Sequence, residues 1–143
     1  MILLIGAMLG FVSVAFGAFS EHGLRETITS EQFRFLMTAV RYNQVHAVIV
    51  VVIGLFFQSN HSCTNTSQLK WSAALFIIGT ILFSFSIYLS VSLQMPSIVY
   101  LTPLGGVTIM VGWITLAVAA IKTLRSSNNC LLYTSDAADD LLC

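Results

Sequence analysis

Four residues able to do chemistry lie in or beside long apolar stretches: His22, Arg41, Asn43 and His46. His46 is the sharpest of them. Counting inward from Met37 and Phe57 puts it near the middle of a membrane span, where an ionisable side chain is a functional candidate by default. Two chemistries suit an imidazole there. As a neutral ring it ties helices together through one hydrogen bond, expected to go to a hydroxyl on the third or fourth helix; as a titrating group it centres a proton relay. The structural role is the reading adopted, because a relay needs a series of carboxylates or histidines and no span contains Asp or Glu. Asn43, one turn before His46, adds a second intramembrane polar group. Arg41 sits about one turn inside the same span and reads as an anchor whose guanidinium snorkels outward. His22 follows Glu21 at the end of the first apolar stretch, where both can pair with Arg25 or Arg41, and Gly23 suits a left-handed helix cap.

Other chemistries lack their residues. His22 and His46 fall at different depths, which disfavours a shared haem, and the chain has no nucleophile–base motif, no Cys-x-x-Cys, no phosphate-binding glycine loop and no metal-ligand spacing. No catalytic residue, cofactor or metal is expected, and the chain is not read as an enzyme. Asn60-His61-Ser62 and Asn65-Thr66-Ser67 match the glycosylation acceptor pattern, which matters only in a eukaryotic secretory context.

The elements that carry these residues follow from hydropathy. Of 143 residues, 57% are apolar and 8% charged, far below the roughly one quarter charged in a soluble domain. Residues 1 to 20 carry no charge, and Trp71 to Ile121 form an uninterrupted uncharged run. A helix needs about 20 apolar residues to cross the hydrocarbon layer, and Met1 to Phe19, Met37 to Phe57, Trp71 to Leu93 and Val99 to Ile121 qualify. Backbone amides in lipid must bond internally, so these are four transmembrane helices in an all-α bundle occupying residues 1 to 125. The first is a span and not a cleaved signal, since it lacks a basic start. Gln94, Met95, Pro96 and then Pro103 divide the uncharged run into two helices that must pack antiparallel. Thr29 and Gln32 form a capping box, which starts the second helix at Ser30, so that its first turns stand in the headgroup region.

Each span also carries small residues at helical spacing: Gly6, Gly10, Ser13, Gly17; then Ala39, Asn43, Ala47, Val50, Gly54; then Ser72, Gly79, Ser86, Ser90; and Gly105, Thr108, Gly112, Thr115, Ala119. Helices in lipid gain little hydrophobic energy by associating and rely on the close backbone approach that such seams allow. They predict a compact bundle, or a homo-oligomer if one seam faces outward.

Several motifs together resemble a known family. Gly17-Ala18-Phe19, His22-Gly23-Leu24, Ala39-Val40-Arg41-Tyr42 with His46-Ala47, Phe83-Ser84 with Ser86 and Tyr88, Thr102-Pro103-Leu104-Gly105-Gly106 and Gly112-Trp113 are similar, in order and spacing over residues 1 to 122, to domain-of-unknown-function family 423. The resemblance implies a small four-helix protein of the bacterial inner membrane with no assigned activity. Ser20-Glu21 stands where the family usually has Gly-Ala, and Phe85 where it has a glycine, which bears on packing at both places.

The chain starts inside its first span, so a short polar start is expected ahead of it. Residues 126 to 143 form a tail, and Cys130 to Asp139 resemble a translated sequencing adapter. Without that tail, which holds Asp136, Asp139 and Asp140, the balance is six basic against three acidic residues, a net of +3, and Cys63 is the one cysteine left. Lys70, Lys122 and Arg125 at one membrane face tie with Arg25, Arg34 and Arg41 at the other, and the glutamates beside the second set favour cytoplasmic termini. The expected partners are the lipid bilayer and either a second copy or a larger membrane protein, with no nucleic acid. The function expected is that of a structural or accessory inner-membrane protein; the alternative is a small transporter or proton-linked carrier centred on His46.

Overall fold

The computed structural model describes residues 1–59 and 66–139. The two glycosylation-type motifs, as far as Asn65, together with Cys63 and Cys143 lie outside the described residues. The order is α1 (Ile2–Phe19), a π-helical turn (Ser20–Leu24), α2 (Ser30–Gln58), α3 (Thr66–Thr80), a second π-helical turn (Ile81–Phe85), α4 (Ser86–Ser92), a 3-10 turn (Pro96–Leu101) and α5 (Thr102–Asp139). Four stretches are long and apolar enough to cross a membrane: Ile2–Leu24, Ser30–Gln58, Ser67–Ser92 and Ser97–Arg125. The chain is a multi-pass membrane protein built of helices.

Local chemistry sets the ends. Thr29 Oγ1 accepts from the Gln32 N–H at 3.2 Å and Gln32 Oε1 accepts from the Thr29 N–H at 3.0 Å, completing the capping box. The resulting helix of 29 residues is about 44 Å long at 1.5 Å per residue, so it overruns a hydrocarbon layer of roughly 30 Å. At the other turn Gln94 takes a left-handed conformation (φ 53°) and the Met95 N–H donates to the Ser90 carbonyl at 3.0 Å, the six-to-one bond of a Schellman ending. Pro103 then sits within the first turn of α5, where its missing N–H costs nothing.

Gly23 departs from expectation. No glycine has a positive φ, and the first helix does not stop there but runs on through the π turn to Leu24. Ser20, fully buried, donates to the Phe16 carbonyl at 2.6 Å and keeps its own backbone helical, so a left-handed cap is not needed.

The seams face one another in two hairpins. Across α1 and α2, a β-carbon added to Gly54 would stand 2.7 Å from Leu3 Cα, and one on Gly6 would stand 2.9 Å from the Val51 N; Gly10 and Gly17 look onto Ala47 and Val40 at 3.9 and 3.4 Å. Across α3 and α5, a β-carbon on Gly79 would meet the Ile109 N at 2.9 Å, one on Gly105 would meet Phe83 Cα at 2.8 Å, and one on Gly112 would meet the Phe76 ring at 3.2 Å. None of these glycines looks outward. Ala39, Asn43, Ala47, Val50 and Gly54 are all buried, as are Ser72, Gly79, Ser86 and Ser90.

These distances rank the glycines. Gly105→Ala forces backbone against backbone and should cost about 1–3 kcal/mol of stability in detergent, in the range of overpacked cores. Gly10→Ala meets only an ordinary contact and should change it by less than about 0.5 kcal/mol. Thermal unfolding of the two variants, followed by circular dichroism, checks the ranking.

Candidate functional site

Between the two hairpins lies a layer of polar groups and rings. Ser84, at the second π turn, donates across from the third span to the Ala39 carbonyl of α2 at 3.0 Å. Asn43 Nδ2 reaches the Tyr88 hydroxyl at 3.4 Å, a long bond, and Asn43 Oδ1 is buried with no protein partner. The Thr80 hydroxyl is likewise buried and unbonded. Tyr88 stacks on Phe16 with centroids 4.0 Å apart, and Tyr42 stacks on Phe83 at 4.6 Å, so aromatic faces cross the same boundary.

His46 sits in this layer, 4% exposed, with the Phe76 ring at 5.5 Å and the edge-on Trp113 ring at 6.4 Å. Its bonding differs from the expected hydroxyl partner. Nδ1 lies 2.7 Å from the Tyr42 carbonyl, one turn back on its own helix. A carbonyl can only accept, so Nδ1 carries the hydrogen and the lone pair of the neutral ring is on Nε2. The physical reason is proximity: a helical side chain leans back over the preceding turn, where a carbonyl is already within reach, whereas the third and fourth helices present rings to His46. The imidazole therefore joins the hairpins by ring packing, and its hydrogen bond is spent within α2.

The other sequence candidates are scattered. Arg41 and Tyr42 are exposed, and Arg41 makes no ion pair or hydrogen bond among the described residues. His22 lies in the π turn at the end of the first span, far along the helix from the Gly10–Ala47 level that His46 neighbours, so the two histidines do not form a pair. Glu21 takes Arg25 and not Arg41, at 2.7 Å. Among the described residues no three His, Cys, Asp or Glu side chains gather in one place.

Thr80 and Ser84 were not among the residues singled out by spacing. They are four apart on one helical face, a signal that lay beside the glycine seam of the same span, and the π turn that aims Ser84 at α2 has no sequence marker of its own. Among the described residues, the grooves on the outside of the bundle include two larger ones that reach neither His46 nor Asn43. One, of about 570 Å³, runs along Val48, Val52, Phe56, Leu116 and Ala120; the other, of about 600 Å³, lies between the start of α2 and the end of the third span.

Comparison with known proteins agrees with this architecture. A family model described as "Protein of unknown function (DUF423)" matches residues 16–106. The UPF0382 membrane protein of Haemophilus influenzae is 32% identical over 117 residues, covering 82% of this chain and 90% of its own length. UPF0382 inner membrane protein YgdD of Escherichia coli K12 is 30% identical over 123 residues, covering 86% and 91%. A Staphylococcus aureus UPF0382 membrane protein is 32% identical over 120 residues, covering 84% and 94%. No solved structure matches. Similarity of this extent, running through both hairpins, makes the chain a member of the DUF423 family of membrane proteins of unknown function.

Proposed function

We propose that this protein is a structural or accessory component of the bacterial inner membrane and not an enzyme, acting as a rigid four-span body on which another membrane component rests. The observation that supports the reading most is where the buried polar groups spend their bonds. Ser72 donates to the Gly112 carbonyl at 3.1 Å, Ser84 to Ala39, Ser86 and Thr102 share a 2.8 Å contact, and His46 is held by Tyr42. Each ties one turn or helix to another instead of lining a path, and the carboxylates of the spans, Glu21 and Glu31, stand only in terminal turns far along the helices from His46. The inner-membrane location follows the printed name of the Escherichia coli relative.

The competing reading is a proton-linked carrier that uses the Nε2 lone pair of His46. The two part on one residue. His46→Phe keeps a ring between Phe76 and Trp113 and drops the bond to Tyr42, so it should remain folded at a cost of about 1 kcal/mol. His46→Ala leaves a void among the rings and should cost about 2–5 kcal/mol. In proteoliposomes carrying a pH gradient, the accessory reading expects no proton flux from wild type. A flux that wild type sustains and His46→Phe abolishes, with equal amounts of folded protein, would replace it with the carrier. Ser84→Ala, which removes the bond to the Ala39 carbonyl, should lower stability by about 1 kcal/mol, measured in the same detergent.

A further inference from the structure

Arg41 is an exposed charge about one turn inside the second span, with no partner of its own among the described residues. Three registers place it. Gly17 of α1 faces Val40, and Leu24, where the first span ends, is seven residues or about 10 Å further along at 1.5 Å per residue. Ser84 bonds to Ala39, and Ser92, the end of the third span, is eight residues or about 12 Å further. Within α2 itself Arg41 lies seven residues, about 10 Å, deeper than Arg34. Its side chain is exposed, so it does not face the bundle interior, where intramembrane charges usually find partners. Among the described residues Arg41 makes no ion pair: Glu31 is ten residues toward the helix start, and Glu21, nearer in level, is taken by Arg25.

A groove of about 600 Å³ adjoins this stretch of α2. Gln32, Phe35 and Thr38 supply its α2 side, and Phe83, Ile87, Val91, Gln94 and Val99 line it from the third span and the turn that follows. Thr38 lies on the helical face of Arg34 and Arg41, at spacings of four and three residues. The lining is largely apolar, with Gln32 and Gln94 among its few polar groups, which suits the tail of a lipid whose headgroup stays outside. Helical side chains lean toward the helix start, so Arg41 and Arg34 lean toward the level of Gln32, beside the groove and outside its lining.

From this we infer that the protein holds one anionic phospholipid, with its phosphate on Arg41 and Arg34 and an acyl chain in the groove between α2 and the end of the third span. Charge complementarity selects this occupant. An unpaired guanidinium at the edge of the hydrocarbon layer draws the nearest anion, and the phosphate diester of a lipid meets it there while its chain stays in apolar surroundings. The net negative charge of the lipid answers the cation, where a zwitterionic headgroup would bring a second positive charge to it. The site is separate from His46 and does not depend on the accessory reading.

The test is native mass spectrometry of the full chain released from detergent, with dioleoyl phosphatidylglycerol or dioleoyl phosphatidylcholine added in parallel. Wild type should retain one phosphatidylglycerol in preference to phosphatidylcholine. Arg41→Gln should retain roughly fivefold less, as expected for loss of one basic contact to an anionic lipid. Val99→Trp, a substitution at an exposed position on the groove wall, should lower retention with both arginines intact. Equal retention of the two lipids by wild type overturns the assignment, as does Arg41→Gln binding like wild type. So does retention by Val99→Trp that matches wild type, since the groove would then hold no chain. No retained phosphatidylglycerol at all also overturns it. If Arg41→Gln does not fold, the lipid preference of wild type and the Val99→Trp comparison decide.

Discussion

Backbone contact at glycine is the constraint on which the bundle rests. In lipid there is no water to expel from between helices, so attraction between them grows with the number of atoms brought into van der Waals range. Leu3 against Gly54 and Phe83 against Gly105 bring main chains together where a single methyl group would hold them apart. Everything lateral to those points follows: the depth at which α1 meets α2, and the level at which Ser72 finds the Gly112 carbonyl.

Two kinds of adhesion divide the molecule. Within each hairpin the close joint is made at small residues, with Ser72 on Gly112 and Ser86 on Thr102 added in the second; between hairpins hydroxyls and rings join the apolar core. Hydrogen bonds across membrane helices are individually modest, near 0.6 kcal/mol on average, but they are directional, and Ser84 on Ala39 together with Asn43 on Tyr88 admits one register of the third span against α2. The π turn at Ile81–Phe85 serves that register. It gives the helix one extra residue in a turn and so changes which side chains downstream face α2.

Much of this was legible in the amino-acid sequence. Length and hydropathy yield the four spans, the Thr29–Gln32 box yields the start of α2, and the spacing of small residues yields the packed faces. Gly79, Gly105 and Gly54 are close-contact positions because period and side-chain size are local properties that survive folding. What was not legible depends on where one helix meets another. A hydroxyl on the third or fourth helix seemed the natural partner for His46, yet a carbonyl on its own helix was nearer. Gly23 marks the end of the first helix to within a residue, but the closing turn is π-helical and Gly23 keeps a negative φ, so the left-handed cap is absent. Neither π turn could be read from composition, since an extra residue in a helical turn leaves hydropathy unchanged. The polar candidates were found as single residues, and only the fold shows that His46 and Asn43 share a layer while Arg41 stands outside it.

The pairing of neighbours in the chain has a consequence for how the molecule is made. Because α1 closes on α2, and the third span on the fourth, each tight joint is available as soon as the second member of its pair has entered the bilayer. The early pair need not wait for distant sequence to be synthesised, and its glycine faces are covered before they can meet a stranger. The layer of Ser84, Asn43, Tyr88 and His46 joins α2 to the third span, so it can form only where the two halves meet. Errors of synthesis should therefore appear as halves that fail to dock, leaving Asn43 facing lipid as a mark by which quality control could recognise an orphan.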